Sequence, residues 1–425
     1  MPKAERERVL VLASTFPASA DDPVPAFVRD QVVALALQHP ELDFDVLAPH
    51  DQRSQTASLS IKPHYSEHRF HYFWPRRAER LTGRGIMPAL RKNPFLYGVI
   101  PFLFFGEFIA TLRLVRRIRP TMIYAHWFTP QAIVASWVSR LTGVPFVFTT
   151  HASDVDVWRR IPLFGPRIVR GVSAQARAIT AVSSRSRSKL TSFLAADDAQ
   201  ATVDVIPMGV DIPAVSPDHT VRTQIRTRLG LDGKVVYLFI GRLVEKKGIH
   251  FLLEALKLAD TALTDWTLVV AGDGPLRSEV QAAVAALGLS DRVMFPGYVT
   301  GETKDEYLRS ADVLVVPSII ATDGDAEGLP VALLEGLAYG LLCVATDESG
   351  ADDILTDGVD GYLCPQKDAV ALAAKLRTVD ALGPDARAEV SARASRLAHN
   401  YSWDVIVERH YDTLIAPLLS GGTRA

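Results

Sequence analysis

Short runs of β-branched and aliphatic residues recur along the chain, each followed by a longer stretch with apolar residues at helical spacing. In the first half RVLVLAS, DFDVLAP, TMIYAH, PFVFTTH, AITAVS and VDVIPMG predict strands, with helices over stretches such as 27 to 38 and 130 to 142. In the second half KVVYLFIGR, WTLVVAGDG, RVMFPGY, DVLVVPS and LCVATD predict another series. That alternation implies an α/β protein with parallel sheets, and its repetition implies two doubly wound domains. Between the series lies DIPAVSPDHT, rich in Pro, Asp and Ser and without periodicity, which reads as a linker. The expected organisation is a first domain over 1–210, a linker over 211–220, a second domain over 221–395, and a final helix and tail over 396–425. Open α/β sheets bind ligands at the carboxyl ends of their strands, so the loops that follow strands are where chemistry is expected.

Composition narrows the classes. The 425 residues are 48% hydrophobic and 22% charged, an ordinary globular balance, and the net charge of −2 gives no whole-molecule attraction to nucleic acid. Cys343 and Cys364 each lie in an apolar run that reads as a buried strand, which fits reduced packing residues and a cytoplasmic setting. The chain opens MPKAERER and passes straight into VLVLAS, a run too short for a signal-peptide core. FLYGVIPFLFFGEFIATLRLV, residues 95 to 115, is apolar enough to resemble a membrane span but contains Pro101, Gly106, Glu107 and Arg113, so a mostly buried or interfacial helix is expected. Just before it Arg69, Arg76, Arg77, Arg80, Arg84, Arg91 and Lys92 face one acid, Glu79, with Phe73 and Trp74 interleaved. Such a patch can touch anionic lipid.

Several chemistries are disfavoured. GDGPLR follows a strand but has Arg277 at the third glycine position of a dinucleotide fingerprint, and no GxxxxGK[ST] loop occurs. The eleven histidines form no H-E-x-x-H or other compact metal spacing, and no G-x-S-x-G elbow is present. No metal and no bound cofactor is expected.

Other loops suit a charged, polyhydroxylated ligand. GRLVEKKG follows a strand and places Arg242 and Lys247 where they can converge on a diphosphate, with Gly241 and Gly248 giving the backbone room. The same spacing also describes a solvated turn. After DVLVVPS comes DGDAEGLPVALLEG, in which Pro330 suits the first turn of a helix through Tyr339. Glu327 then lies ahead of that helix and Glu335 within it. The N–H groups around Gly328, Leu329, Pro330 and Val331 would favour a phosphate, while the carboxylates suit a sugar and a ribose diol. A dipole-complementing acid and a surface helix former would look the same at this spacing. In FVFTTHASDVD, His151 ends a strand with Ser153, Asp154 and Asp156 close behind, and IYAHWFTP places His126 and Trp127 after another strand, able to line an acceptor.

As an ordered set, IYAHWFTPQA, FTTHASD, ITAVSSRSR, VIPMGVD, FIGRLVEKKG, VVAGDGP, PSIIATDGDAEGLPVALLEGLAYG and SGADDILTDGVDGYLCP resemble the retaining glycosyltransferases of family 4, which have the GT-B fold. The short acidic insert before Glu327 is similar to the branch that builds bacterial exopolysaccharides. The resemblance implies two Rossmann-like domains facing across a cleft and a C-terminal helix around Trp403 crossing back to the first. It implies that Glu327 faces the transferred sugar, Glu335 the ribose, and Arg242 and Lys247 the diphosphate. His151 matches the cleft histidine, and Tyr298 and Val299 the base-binding region. Three departures stand out. The first loop lacks paired glycines and instead opens its helix with a Phe-Val-Arg step, which makes Phe27 and Arg29, with His126, Trp127 and Asp154, the acceptor-side candidates. Met208 replaces the usual asparagine and Asp353 the usual glutamate.

The implied reaction is front-face transfer with retention, without a metal, from a GDP- or UDP-sugar to a glycan or lipid-linked saccharide. The setting would be cell-surface polysaccharide or glycolipid synthesis in the cytoplasm, with possible contact to the inner face of the membrane. A GT-B sugar-nucleotide epimerase and a non-catalytic sugar-nucleotide-binding subunit are the alternatives.

Overall fold

The computed structural model describes the chain except residues 1–5, 18–23, 25, 51–57, 62–64, 83–85, 87–88, 91–92, 152–153, 162, 195–201, 214–218, 348–349 and 421–425. Arg84, Arg91, Lys92, Ser153 and the middle of the expected linker therefore lie outside the described residues. Two compact units are present, one formed by Met1–Met208 with Ile406–Ala425 and the other by Gly209–Val405.

The first unit is built on an eight-stranded sheet of order β3-β4-β2-β1-β5-β6-β7-β8. Its strands are β1 Glu7–Leu12, β2 Leu42–Pro49, β3 Ser58–Ile61, β4 Tyr65–Phe70, β5 Met122–His126, β6 Phe146–Thr150, β7 Ile179–Ala181 and β8 Val203–Val205. Neighbours run parallel except β3 with β4. Helices cover both faces, so a central run such as VLVL, residues 9–12 of β1, is apolar at every position; Phe146 and Phe148 on β6 are fully buried, each contributing roughly 1.5–3 kcal/mol of apolar burial. Strands β3 and β4 were not expected from the pattern. YSEHRF hides behind its charges, since Glu67 and Arg69 are buried as an ion pair and Arg69 also donates to the carbonyls of Phe16, Pro17 and Pro49.

A 3₁₀ turn, Pro94–Val99, leads into the helix Ile100–Ile118. Leu103, Glu107, Thr111, Leu114 and Val115 form one buried stripe against the unit. This segment is the one described helix long and apolar enough to cross a membrane, yet only 22% of its apolar 18-residue window is buried in the protein. Of the two expectations for this segment, mostly buried or interfacial, the mostly buried one is thereby corrected. One narrow stripe meets the core, while Phe95, Phe102 and Phe105 are 92%, 52% and 65% exposed.

The second unit carries a parallel six-stranded sheet of order β11-β10-β9-β12-β13-β14. Its strands are β9 Val235–Ile240, β10 Trp266–Ala271, β11 Val293–Gly297, β12 Val313–Val316, β13 Leu342–Thr346 and β14 Tyr362–Cys364. Cys343 and Cys364 are buried free thiols on the last two. In both units the strand order reverses beside the first strand, between β1 and β5 and between β9 and β12. Loops leaving the carboxyl ends of such a pair diverge and open a crevice. The final helix starts at Trp403, whose ring lies over Gly209 so closely that a Cβ there would sit 2.3 Å from it. From Ile406 onward the chain packs with the first unit.

Candidate functional site

In the second unit, the loops leaving β9 and β12 bring the expected charged residues together. After Ile240 the chain passes Gly241 and Arg242, makes one 3₁₀ turn, Glu245–Lys247, and reverses at Gly248 into the helix Ile249–Ala259. Gly248 has φ +64°, and a Cβ on it would lie 1.8 Å from the Pro317 carbonyl oxygen just beyond β12. Only glycine permits that approach. Lys247 lies back over Gly241, with Cε 3.3 Å from where a Cβ would stand. Arg242 is exposed at the tip of the same loop.

Pro330 caps the helix Val331–Ala338, so Glu327 stands in the loop ahead of it and Glu335 within it. Lys247 Nζ is 3.3 Å from Glu327 Oε2, and Lys246 Nζ lies 3.7 Å from Oε1 and 3.3 Å from Asp325 Oδ1. Burial pushes the Glu327 carboxyl up, but Lys247 and then Lys246 outweigh it and hold it below the usual range. For Lys246 burial acts downward, and Glu327 and Asp325 reverse it to hold the ammonium above its usual range. Glu327 and Lys246 thus both favour their charged forms. Glu327 Oε1 is buried without a hydrogen-bond partner among the described residues, an acceptor suited to a hydroxyl. Gly328, Leu329 and Pro330 are buried behind Glu327 and Val331 is half-buried. Lys304 Nζ, on the helix Gly301–Ser310, is 2.6 Å from Glu335 Oε1. Tyr298 is exposed and Val299 buried where β11 gives way to that helix.

The first unit gathers a different set. His151, directly after β6, is 6% exposed and lies between aromatic rings, with centroids 4.8 Å from Trp127 and 5.5 Å from Phe27. Phe27 is the first residue of the helix Phe27–Gln38, where the Phe-Val-Arg step was expected, and Arg29 pairs with its neighbour Asp30 at 3.0 Å. Trp127 adopts φ +74°, a left-handed conformation that strains a bulky residue and tends to mark sites held by their surroundings. Its own amide donates to the Thr149 carbonyl at 2.9 Å. Asp154 clamps the two loops, accepting from the Phe128 amide at 2.6 Å, the Thr150 hydroxyl at 2.6 Å and the His151 amide at 3.2 Å. Burial raises its carboxyl to about 6 against these bonds.

His126 is fully buried, so its expected place lining an acceptor is corrected: it lies beneath the surface, with Nδ1 3.3 Å from His151 Nε2. Burial drives the imidazoles of His126, His151 and His410 below their usual range, His151 and His410 to about 3. All three are neutral at pH 7. His151 can therefore donate to or accept from a hydroxyl without adding charge.

Residues not singled out from the sequence complete both sets: Lys246, Asp325 and Lys304 in the second unit, Tyr124, Thr149 and His410 in the first. The KK doublet and the DGD insert were visible, but nothing in spacing announced which lysine would meet Glu327. Sequence spacing also hid a convergence of His50, His71 and Glu79, whose ligand atoms lie within 4.8 Å of one another. Burial pushes the Glu79 carboxyl up, but the hydrogen bond with the His71 ring and those from the Phe73 and Tyr72 amides hold it below its usual range.

The family profile described as Glycosyl transferases group 1 matches residues 221–396, and that of Glycosyltransferase Family 4 matches 31–213. The chain is 29% identical over 319 residues to a GDP-mannose-dependent alpha-(1-6)-phosphatidylinositol monomannoside mannosyltransferase of Mycolicibacterium smegmatis, covering 74% of this chain and 80% of that protein. It is 34% identical over 168 residues to a putative colanic acid biosynthesis glycosyltransferase, WcaL, of Salmonella typhimurium, covering 39% of this chain and 41% of that protein. Among solved structures, sucrose-phosphate synthase from Thermosynechococcus elongatus superposes with a TM-score of 0.74 at 18% identity, covering 98% of this chain and 100% of that one, a likeness of fold.

Proposed function

Since the chain belongs to the group 1 glycosyltransferases, enzymes of the GT-B fold, we propose that it moves a hexose from a nucleotide-diphosphate sugar to a hydroxyl of a glycan or lipid-linked saccharide, with retention and without a metal. The observation that carries this reading is the Lys246–Glu327–Lys247 cluster at the switch point between β9 and β12. Diphosphate approaches Arg242 and Lys247, with the N-terminus of Val331–Ala338 adding its N–H groups. Glu327 accepts from the sugar hydroxyls, Glu335 from the ribose, and Tyr298 and Val299 border the base. His151 holds the sugar, while Phe27, Trp127 and Arg29 serve the acceptor and Asp154 holds their loops in place.

In the transfer, the bond from C1 of the sugar to the phosphate oxygen breaks and the bond from C1 to the acceptor oxygen forms on the same face. The acceptor proton passes to the departing phosphate. Cationic side chains stabilise the charge that grows on that phosphate, which is the role a divalent ion would otherwise fill. The activities for which these relatives are named support a role in cell-surface polysaccharide or glycolipid synthesis. A lipid-linked acceptor at the inner face of the membrane accords with exposed Trp74, Phe95, Phe102 and Phe105 beside Arg76, Arg77 and Arg80. Absence of flotation with anionic vesicles at low salt would remove that part of the reading.

The test is a thermal-shift panel of GDP-mannose, UDP-glucose, UDP-galactose and UDP-N-acetylglucosamine, followed by mass spectrometry of products made with the stabilising donor. At least one donor should raise the melting temperature, and a hexose mass should appear on the acceptor in the presence of EDTA. No stabilisation by any sugar nucleotide, or an epimerised donor as the product, would sink the proposal.

A further inference from the structure

The part of the chain that returns from the second unit to the first, Ile406–Ser420, buries Ile406, Val407, Leu414 and Ile415 almost completely. In the middle of this apolar face stands one imidazole, His410, which is also fully buried. Docking does not need it. His39 stacks on Tyr411 with ring centroids 3.6 Å apart and pairs with Glu408 at 3.3 Å, and Arg409 donates to the Val205 carbonyl at 3.0 Å. An apolar side chain would fill the buried position without leaving a polar atom to satisfy, and His410 Nε2 has no partner among the described residues. A buried polar group retained under those terms points to a role other than adhesion.

Its side-chain hydrogen bond among the described residues indicates the role. His410 Nδ1 lies 3.3 Å from the Tyr124 hydroxyl, which also receives Gln31 Nε2 at 3.1 Å and meets the Thr149 hydroxyl at 2.8 Å. Thr149 in turn bonds Thr180 on β7 at 2.7 Å. Each partner leads to the His151 shell. Tyr124 and His126 project from the same face of β5, two residues apart, with ring centroids 4.4 Å apart. Thr149 precedes His151 by two residues on β6, and Gln31 lies one helical turn after Phe27, whose ring flanks His151. The layer under His151 therefore joins β5, β6, the first helix and the returning C-terminal helix through the Tyr124 hydroxyl, and reaches β7 through Thr149.

We propose that His410 is a positioning residue for the transfer reaction: by fixing the Tyr124 hydroxyl it sets the orientation of the His126–His151 pair, so that the returning helix completes the His151 shell rather than merely covering it. The role rests on the glycosyltransferase reading, in which His151 faces the sugar. His410 touches no reacting atom. It acts through Tyr124 and His126.

The test compares three variants in the full chain, with the donor and acceptor that the thermal-shift panel and product mass spectrometry identify. His410→Phe keeps a large apolar anchor and removes the bond, His410→Asn restores an amide where Nδ1 stood, and Tyr124→Phe removes the shared hydroxyl. His410→Phe should melt at or above the wild-type temperature, keep the donor KM, and lose about tenfold in kcat. His410→Asn should recover most of that loss. Combining His410→Phe with Tyr124→Phe should cost no more than the larger single change, because both cut the same link. Nitrogen-15 NMR of the histidine rings gives a readout independent of turnover: the His126 and His151 signals should move in His410→Phe and return in His410→Asn. Wild-type kcat and unmoved ring signals in a folded His410→Phe would overturn the positioning role. A wild-type protein that transfers no sugar would sink the functional reading instead, and the ring signals would still decide whether the link exists.

Discussion

The two units carry opposite electrostatics at the carboxyl ends of their sheets. In Gly209–Val405 the loops after β9 and β12 hold four ionised groups, Lys246, Lys247, Asp325 and Glu327, within salt-bridge reach. In the other unit the loops after β5 and β6 hold neutral rings, with His126 and His151 stripped of charge by burial and flanked by Phe27 and Trp127. The lesson is one of matching. A leaving diphosphate gains charge as the bond breaks and needs counter-charge fixed in advance, whereas sugar hydroxyls need donors and acceptors that do not compete for that charge.

If the comparison holds, deleting charge from the second unit should be the most damaging change. Lys247→Ala should lower kcat/KM about 100- to 1000-fold, while the melting temperature stays close to wild type. Arg242→Ala, on an exposed side chain, should follow with a smaller loss. A near-normal rate in both would break the assignment of that loop to diphosphate. Glu327→Gln comes next: it keeps the shape but removes the carboxylate that Lys247 pairs with and leaves Lys246 with Asp325, so a drop of about 100-fold is expected, mainly in kcat.

Neutral positions should cost less. His151→Ala should reduce kcat about tenfold to 100-fold, and unlike Glu327→Gln its effect should change little with ionic strength. Kinetics at two salt concentrations separate the two cases. Glu335→Gln should act on donor binding, raising the donor KM about tenfold with kcat nearly preserved, because it removes a contact equally present before and during transfer.

The smallest effect is in pH dependence. His410 sits at about 3 instead of 6.5, chiefly through burial and secondarily through Arg409. The unfolded chain takes up that proton as pH falls through the ordinary imidazole range and the folded chain does not. Stability is thus present above the unfolded value and lost progressively below it. Glu107 and Asp154, raised by burial to about 8 and about 6, act with the opposite sign in the same unit, so only a difference between variants isolates one group. Urea titrations of His410→Phe between about pH 6 and pH 4 should show a slope shallower by one proton, about 1.4 kcal/mol per pH unit. Glu327, held low by the lysines, loses its contribution only in a more acidic window, below the usual carboxylate range. An unchanged slope would show that His410 is not buried as a neutral ring.

Much of the fold was readable because both sheets are covered on two faces, which turns their central strands into apolar runs such as VVYLFI and VLVL. The strand YSEHRF was not readable, since its buried Glu67 and Arg69 satisfy each other and look like surface. Local chemistry is equally legible at Pro330, whose fixed φ suits a helix start, and that position by itself separates Glu327 in the loop from Glu335 on the helix. What spacing could not carry were the long-range partners. Lys304 comes 31 residues before Glu335, and His410 comes 286 residues after Tyr124. Such pairs are set by sheet order and by the returning helix. His126 shows the converse error: a histidine after a strand reads as a surface ligand, and only burial reveals it as support.

The central claim is that these residues transfer a sugar with retention, and the anomeric configuration of the first-formed product tests it most directly. With the donor selected by thermal shift, proton NMR recorded early in the reaction should show the new glycosidic bond in the same α configuration as the sugar in the nucleotide donor. A β-linked product from an α-linked donor would contradict the account.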